Sequence, residues 1–307
     1  MRIDVHQHLW SEPLVAALAR RRLPPRVRRA PDGWWLDLAG EPPCQLELSS
    51  EDVGRRAALV HLDGVDRALV ALSSPLGVES LDPDEAADVL DAFHAGAAAL
   101  PAEFGAWASV PLRDLDGAVG ELERRLAEGS AGLCLPAGAL ATPAAVERVA
   151  PLLDALERRE APLFVHPGPA PAEAHDVPPW WPALTDYVEG LHAAWHAFAA
   201  IGRRAHPRLT VVFAALAGGA PLHLERIAAR GGPLASAFDP GLFYETSSYG
   251  TRMIEAMVRV VGVDQLVHGS DRPVVEPPDA KAIGPATWEA LARANPARLL
   301  GARALAA

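Results

Sequence analysis

Two histidines spaced by one residue, His6 and His8, close the run Arg2-Ile3-Asp4-Val5 near the start of the chain. If that run is a strand, its two-residue period turns both imidazoles to one face, as a shared metal ion requires. Such a pair alone is weak, because spaced histidines are more often structural. Two further groups add weight. His166 ends the run Leu163-Phe164-Val165-His166, and Asp271 ends Val267-His268-Gly269-Ser270-Asp271. Three imidazoles and a carboxylate supply borderline nitrogen and hard oxygen ligands for one divalent metal ion, zinc first with manganese or iron as alternatives, and leave a position for water.

These groups must be carried by elements that bring them together. Short apolar runs at 2–5, 67–72, 105–108, 132–135, 162–165, 209–213, 242–245 and 265–268 read as strands. Stretches of helical period separate them, notably 115–128, 144–159, 187–204, 222–229 and 251–261. Eight apolar strands alternating with helices predict an α/β fold of the (β/α)8 barrel type, with a doubly wound open sheet as the alternative, since alternation does not show closure. His6 and His8 then follow the first strand, His166 the fifth and Asp271 the eighth, all at the strand C-termini where barrel active sites lie. The chain reads as one barrel domain over 1–307. Residues 10–50, rich in Pro and Arg with Trp34-Trp35 beside a turn at Asp32-Gly33, fit neither element and read as an insertion after the first strand, a lid over the mouth or a decoration.

The chain of 307 residues is half apolar and carries a net charge of -11, so no basic stripe is available to neutralise a nucleic-acid backbone. No run approaches the ~20 apolar residues of a membrane span, and Asp4 and His6 fall where a secretory signal needs apolar residues. The expectation is a soluble cytoplasmic protein with a small-molecule substrate, no nucleic-acid or membrane partner, and homodimerisation left open. Cys44 and Cys134 form no CxxC pair and suggest neither a disulfide framework nor a thiolate zinc site.

The sequence resembles the amidohydrolase superfamily, in the amidohydrolase-related branch that holds aminocarboxymuconate-semialdehyde decarboxylase, resorcylate-type decarboxylases and dicarboxylate lactonases. The resemblance is carried by Ile3-Asp4-Val5-His6-Gln7-His8, Phe164-Val165-His166-Pro167-Gly168, His206 to Ala214 leading into Gly218-Gly219-Ala220-Pro221, Glu225-Arg226, Gly269-Ser270-Asp271 and Asn295 to Gly301. It implies that His6, His8, His166 and Asp271 are metal ligands. At one position the chain departs from the family pattern: the histidine that usually ends the sixth strand and moves protons beside the metal falls on Ala215. Arg272 stands where an aromatic residue is usual, and either grips a substrate carboxylate with its planar fork or pairs with a neighbour such as Glu276.

With Ala215 unable to move a proton, the candidate acids and bases are Asp271, His175, His192 and His196. The last two are four apart and share a helix face, without the HExxH pattern. Trp180 and Trp181 are candidate walls for a ring-containing substrate, as are Trp34 and Trp35. His268 reads as packed at a strand end, and His61, His94, His206 and His223 as surface or helix residues. The first functional reading is a metal-dependent hydrolase of an ester, lactone or amide, in which metal-activated water attacks the carbonyl and Asp271 accepts the proton. The alternatives are a non-oxidative decarboxylase, which needs a placed acid to protonate a carbanion, and a barrel that binds without catalysis.

Overall fold

A computed structural model describes residues 1–171, 177–232 and 239–301. Eleven strands are present among them: β1 (Ile3–Gln7), β2 (Arg26–Ala30), β3 (Gly33–Asp37), β4 (Cys44–Leu46), β5 (Arg67–Val70), β6 (Phe104–Ala106), β7 (Leu133–Pro136), β8 (Leu163–His166), β9 (Val211–Phe213), β10 (Leu242–Glu245) and β11 (Leu266–Val267). Strands β1, β5 and β6 pair in parallel in that order, as do β7 through β11. A bridge between Ala108 and Leu133 joins β6 to β7, and one between Gln7 and Arg272 brings β1 beside the chain leaving β11. Val5 N–H donates to the His268 carbonyl at 2.9 Å and His8 N–H to that of Arg272 at 2.7 Å. The sheet is therefore closed, an eight-stranded (β/α)8 barrel, and the open-sheet alternative is set aside. All eight sequence-predicted strands are in it.

The strands are apolar on both faces because each has two packing partners. Inward, Ile3, Val5, Leu69, Trp107, Cys134, Phe164, Val212, Phe243 and Val267 fill the lumen as one cluster. Outward, Leu133, Leu135, Leu163, Val165, Val211 and Phe213 meet the surrounding helices. The helix Pro143–Arg158 shows how sequence sets those helices. Thr142 caps it by accepting from Ala145 N–H at 3.1 Å, proline occupies its first turn, and Val146, Val149, Leu153 and Leu156 recur along the buried side.

The insertion departs from its featureless reading. It holds the helix Glu12–Arg20 and an antiparallel sheet in the order β2-β3-β4. Strand β2, Arg-Val-Arg-Arg-Ala, resists recognition because its charges are neutralised by a neighbour distant in pattern. Arg26 and Arg28 both reach Asp37 of β3, at 2.8 and 3.0 Å. Arg28 lies over the Trp35 ring and Arg29 over that of Trp34, at 5.6 and 5.8 Å from the ring centres. Trp34 and Trp35 thus pack on strand β2 and are not pocket walls. Val27 and Leu36, on the face opposite Arg28 and Trp35, join Leu14, Leu18, Val89, Leu90 and Phe93 in a second core, against which Trp34 also packs.

Candidate metal centre

His6, His8 and His166 come together at the C-terminal mouth of the barrel. One ring nitrogen from each lies within 4.8 Å of the others, and all three rings are buried. Their outer nitrogens are already committed: His8 Nδ1 donates to the Ala71 carbonyl at 2.8 Å, His166 Nδ1 to the Pro167 carbonyl at 2.9 Å, and His6 Nδ1 to Glu245 Oε2 at 3.2 Å. Each ring therefore turns its Nε2 toward the common point. His6 Nε2 and His8 Nε2 stand only 3.2 Å apart, and Asp271 Oδ1 is 3.5 Å from the first and 3.2 Å from the second. Two imidazole lone pairs at that separation repel unless a proton or a cation lies between them. Oriented outer nitrogens, converging inner ones and an adjacent carboxylate fit a divalent metal ion.

The groups that hold this set are buried and polar. Glu245 ends β10, is fully enclosed, and accepts from Ser247 Oγ at 2.7 Å and from Ala215 N–H at 3.1 Å as well as from His6. Gly269 must stay glycine, since a Cβ there would lie 2.0 Å from Glu245 Oε1. Asp4 Oδ1 accepts from the N–H groups of His6 and Ser270, both at 3.0 Å, where the pairing of β1 with β5 shifts register. Asp271 itself has φ 57°, a left-handed conformation that aspartate tolerates better than most residues.

Electrostatics follow the same arrangement. Burial pulls the His6 pKa down, but the charges of Asp271 and Glu245, the Glu245 hydrogen bond and Asp4 outweigh it and push the value up to about 9. His166 lies well below its ordinary value, through burial and then the neighbouring His6 and His8. Burial would raise Asp271, yet the three histidines hold it below the usual carboxylate range.

Other sequence candidates are placed differently. Arg272 is buried, and its guanidinium forks onto Asp63 at 2.6 and 2.9 Å while reaching Glu276 at 2.9 Å. Of the two readings of Arg272, the pair with Glu276 is present, and Asp63 takes the planar fork. Trp180 and Trp181 are exposed and pack on each other, 5.7 Å between ring centres, whereas the ring neighbours of His6 are His8, Phe164 and His166. They are surface residues, not a wall against the histidines. His192 braces the turn after β9, its Nε2 donating to the Gly218 carbonyl at 2.7 Å. His196 packs edge-on against Trp195, 5.0 Å between ring centres. His175 lies outside the described residues. His268 is packed, against Trp288, while His94 and His206 prove buried. His94 Nε2 accepts from Ser109 N–H at 3.2 Å, and its pKa drops to about 3 through burial and the nearby Arg125.

Glu245 is the residue that sequence reasoning missed. The available signal was a carboxylate ending an apolar strand and followed by Thr246-Ser247-Ser248. The turn after β9 is also unusual. Ala215, Leu216 and Ala217 have φ of 45°, 52° and 55° ahead of Gly218 and Gly219, so three residues with side chains occupy a region that glycine favours. Such strain persists only where contacts enforce it. Here Glu245 holds Ala215 N–H at one end and His192 holds the Gly218 carbonyl at the other.

A closed barrel with three histidines that could share a metal ion, and a carboxylate beside them, at its C-terminal mouth is the arrangement of a metal-centred barrel enzyme. The chain belongs to the amidohydrolase family, whose model matches residues 3–302. It is 32% identical over 175 residues to a 6-methylsalicylic acid decarboxylase of Aspergillus aculeatus, a match that covers 54% of this chain and 48% of the relative, so the chain aligns with about half of that protein's length. Among solved structures, an IDCase of Metarhizium anisopliae in apo form superposes with a TM-score of 0.80 at 16% identity, covering 98% of this chain and 97% of that one. A 5-carboxyvanillate decarboxylase of Novosphingobium aromaticivorans with bound manganese gives 0.76 at 19% identity, covering 98% and 97%. A 2,6-dihydroxybenzoate decarboxylase complexed with 2,6-dihydroxybenzoate gives 0.71 at 18% identity, covering 97% and 98%.

Proposed function

We propose that the protein is a metal-dependent, non-oxidative decarboxylase of a small hydroxyaryl carboxylate, a reading carried by its 32% identity to 6-methylsalicylic acid decarboxylase and supported by a placed carboxyl at the mouth. The sequence alone favours hydrolysis, because Ala215 removes the usual proton donor. Asp271 answers that objection. Its side chain is 15% exposed, enough to exchange protons with solvent, and it borders the histidine cluster.

His6, His8, His166 and Asp271 would hold the metal, and the manganese-bound carboxyvanillate decarboxylase favours manganese among the expected ions. When bound, the ion supplies positive charge that binds and polarises a substrate carboxylate or phenolate oxygen. Glu245, Ala71 and Pro167 fix the three rings, and Phe164 and Trp107 form an apolar floor beneath them, their ring centres 5.2 Å apart. The bound anion raises the Asp271 pKa toward its protonated form. Asp271 then passes its proton to the ring carbon that bears the carboxylate; the bond to the carboxyl carbon breaks, its electron pair returns to the ring, and carbon dioxide leaves. Solvent reprotonates Asp271.

The test is a screen of protein loaded in turn with zinc, manganese and iron against 6-methylsalicylate, 2,6-dihydroxybenzoate and 5-carboxyvanillate, with aryl esters and lactones alongside. In deuterated water the expected product is the arene carrying deuterium at the former carboxyl position. Asp271→Asn should slow its formation by about a hundredfold or more. Ester or lactone cleavage without carbon dioxide would return the protein to the hydrolase reading.

A further inference from the structure

Where the insertion meets the loop after β8, it brings a carboxyl to a tyrosine. Tyr187 opens the helix Asp186–Ala197, and its hydroxyl donates to Glu41 Oε1 at 2.5 Å. Glu41 lies between β3 and β4. Its neighbour Gly40 packs so tightly on the loop after β8 that a Cβ would lie 2.1 Å from the Ala170 carbonyl oxygen. The next residue along the helix meets the strained turn, and the Asp271 carboxylate is near enough to act on the Tyr187 hydroxyl. Val188 lies against Gly218, whose added Cβ would be 3.2 Å from the Val188 Cα, and that turn starts at Ala215, one hydrogen bond from Glu245 and two from His6.

We propose that Tyr187 and Glu41 form a two-residue donor at the mouth of the metal centre, in which Tyr187 donates to an anionic oxygen of the substrate and Glu41 sets the direction of its hydroxyl. This rests on the carboxylate-substrate reading above and deepens it by naming the group that stands beside the turn where a histidine is missing. With Glu41 ionised, the hydroxyl points to Glu41. With Glu41 protonated, the carboxyl donates to the phenol oxygen and the phenol hydrogen is free for the substrate. Tyr187 is suited to a donor that never ionises: burial, Glu41 and Asp271 all hold its pKa above the ordinary tyrosine value. Burial raises Glu41 as well, the Tyr187 hydrogen bond opposes this, and Asp186 adds to it. The titratable groups that face the pair are Tyr187 and Asp186 on the helix, Cys44 on β4 and Asp271 beyond β11. Glu41 is a positioning residue; Tyr187 is the one that touches substrate.

Manganese-loaded wild type, Tyr187→Phe, Glu41→Gln and Glu41→Ala are compared for binding of benzoate and 2-hydroxybenzoate by calorimetry between pH 5.5 and 8, with thermal melts to verify folding. At the low end of this pH range, Tyr187→Phe should weaken both ligands by about tenfold or more, the cost of a lost hydrogen bond to a charged group. Relative to Glu41→Gln, wild type should bind progressively better as pH falls, because a glutamine amide donates to the phenol at every pH. Glu41→Ala should lose affinity. If Glu41→Gln behaves as Glu41→Ala, or Tyr187→Phe binds as wild type, or neither carboxylate binds wild type at millimolar concentration, the pair is not an anion donor. Carbon dioxide release from the hydroxybenzoates is followed in parallel. Release with Tyr187→Phe kinetics unchanged overturns the pair alone, and the binding pattern above without any release overturns decarboxylation alone.

Discussion

Three imidazoles that give Nδ1 to the protein have only Nε2 left for each other, and in the metal-free protein His6 resolves the crowding by keeping a proton to about pH 9. A histidine pKa raised on folding contributes stability that is fully present below the unfolded value near 6.5 and is lost as pH rises through the folded one. His166 acts in the opposite sense, because its pKa is lowered, and its contribution changes only below that unfolded value. Buried Glu79, raised to about 7 by desolvation, has finished titrating before pH 8. Between pH 7 and 9 the loss belongs mainly to His6, with the last of the Glu79 titration adding to it below pH 8. Metal-free protein should lose up to about 3 kcal/mol across this window, at 1.36 kcal/mol per pKa unit. Metal-loaded protein should lose little, because binding has already displaced the proton. Urea denaturation at each pH measures both. A flat metal-free profile would mean that no proton is shared between His6 and His8, and the fit to a cation would lose its main support.

The elements carry the site as far as backbone pattern can, and the difference between what was legible and what was not follows from where the partners lie. The ends of β1, β8 and β11 were readable from apolar runs and spacing, because a strand interior is set by residues within it. Glu245 and Tyr187 were not, since their meaning comes from contacts with residues more than one hundred positions away: Glu245 with His6, Tyr187 with Glu41. Arg272 was legible only in part for the same reason. The sequence shows Glu276 four residues on but not Asp63, which ends the helix Val53–Leu62 and takes both arms of the fork. Because the pair is largely buried, Arg272→Met should destabilise the fold by about 2–4 kcal/mol through the stranded Asp63 carboxylate, and adding Asp63→Asn should recover part of the loss. The Michaelis constant should stay within about twofold, given that no substrate contact is removed. Denaturation curves and kinetics on the single and double variants measure this. A large rise in the constant at unchanged stability would restore Arg272 as a carboxylate clamp.

At the scale of the whole molecule, the insertion is anchored at one end and reaches the site with the other. Its helix Glu12–Arg20 packs Leu14 and Leu18 with Val89, Leu90 and Phe93 of the helix Pro83–Ala98, on the flank of the barrel. Its far end, Gly40 and Glu41, meets the loop after β8 and Tyr187. Gly40→Ala separates these two roles. The new methyl group would have to occupy space held by the Ala170 carbonyl and the Pro171 oxygen, 2.1 and 2.8 Å away, and both are backbone atoms that no rotamer change can move. Relief must come from lifting the 39–43 segment off the barrel, which leaves the flank core and the histidine cluster in place. The expected cost is the ~1–3 kcal/mol typical of overpacking. Metal content should remain that of wild type. Carboxylate affinity should fall as in Tyr187→Phe, since Glu41 no longer meets the hydroxyl, and protease cleavage within 38–50 should quicken. Metal analysis, calorimetry with benzoate and timed proteolysis measure the three responses. Unchanged affinity together with faster cleavage would show that the insertion covers the mouth without taking part in binding, and unchanged cleavage would show that the segment accommodates the methyl in place.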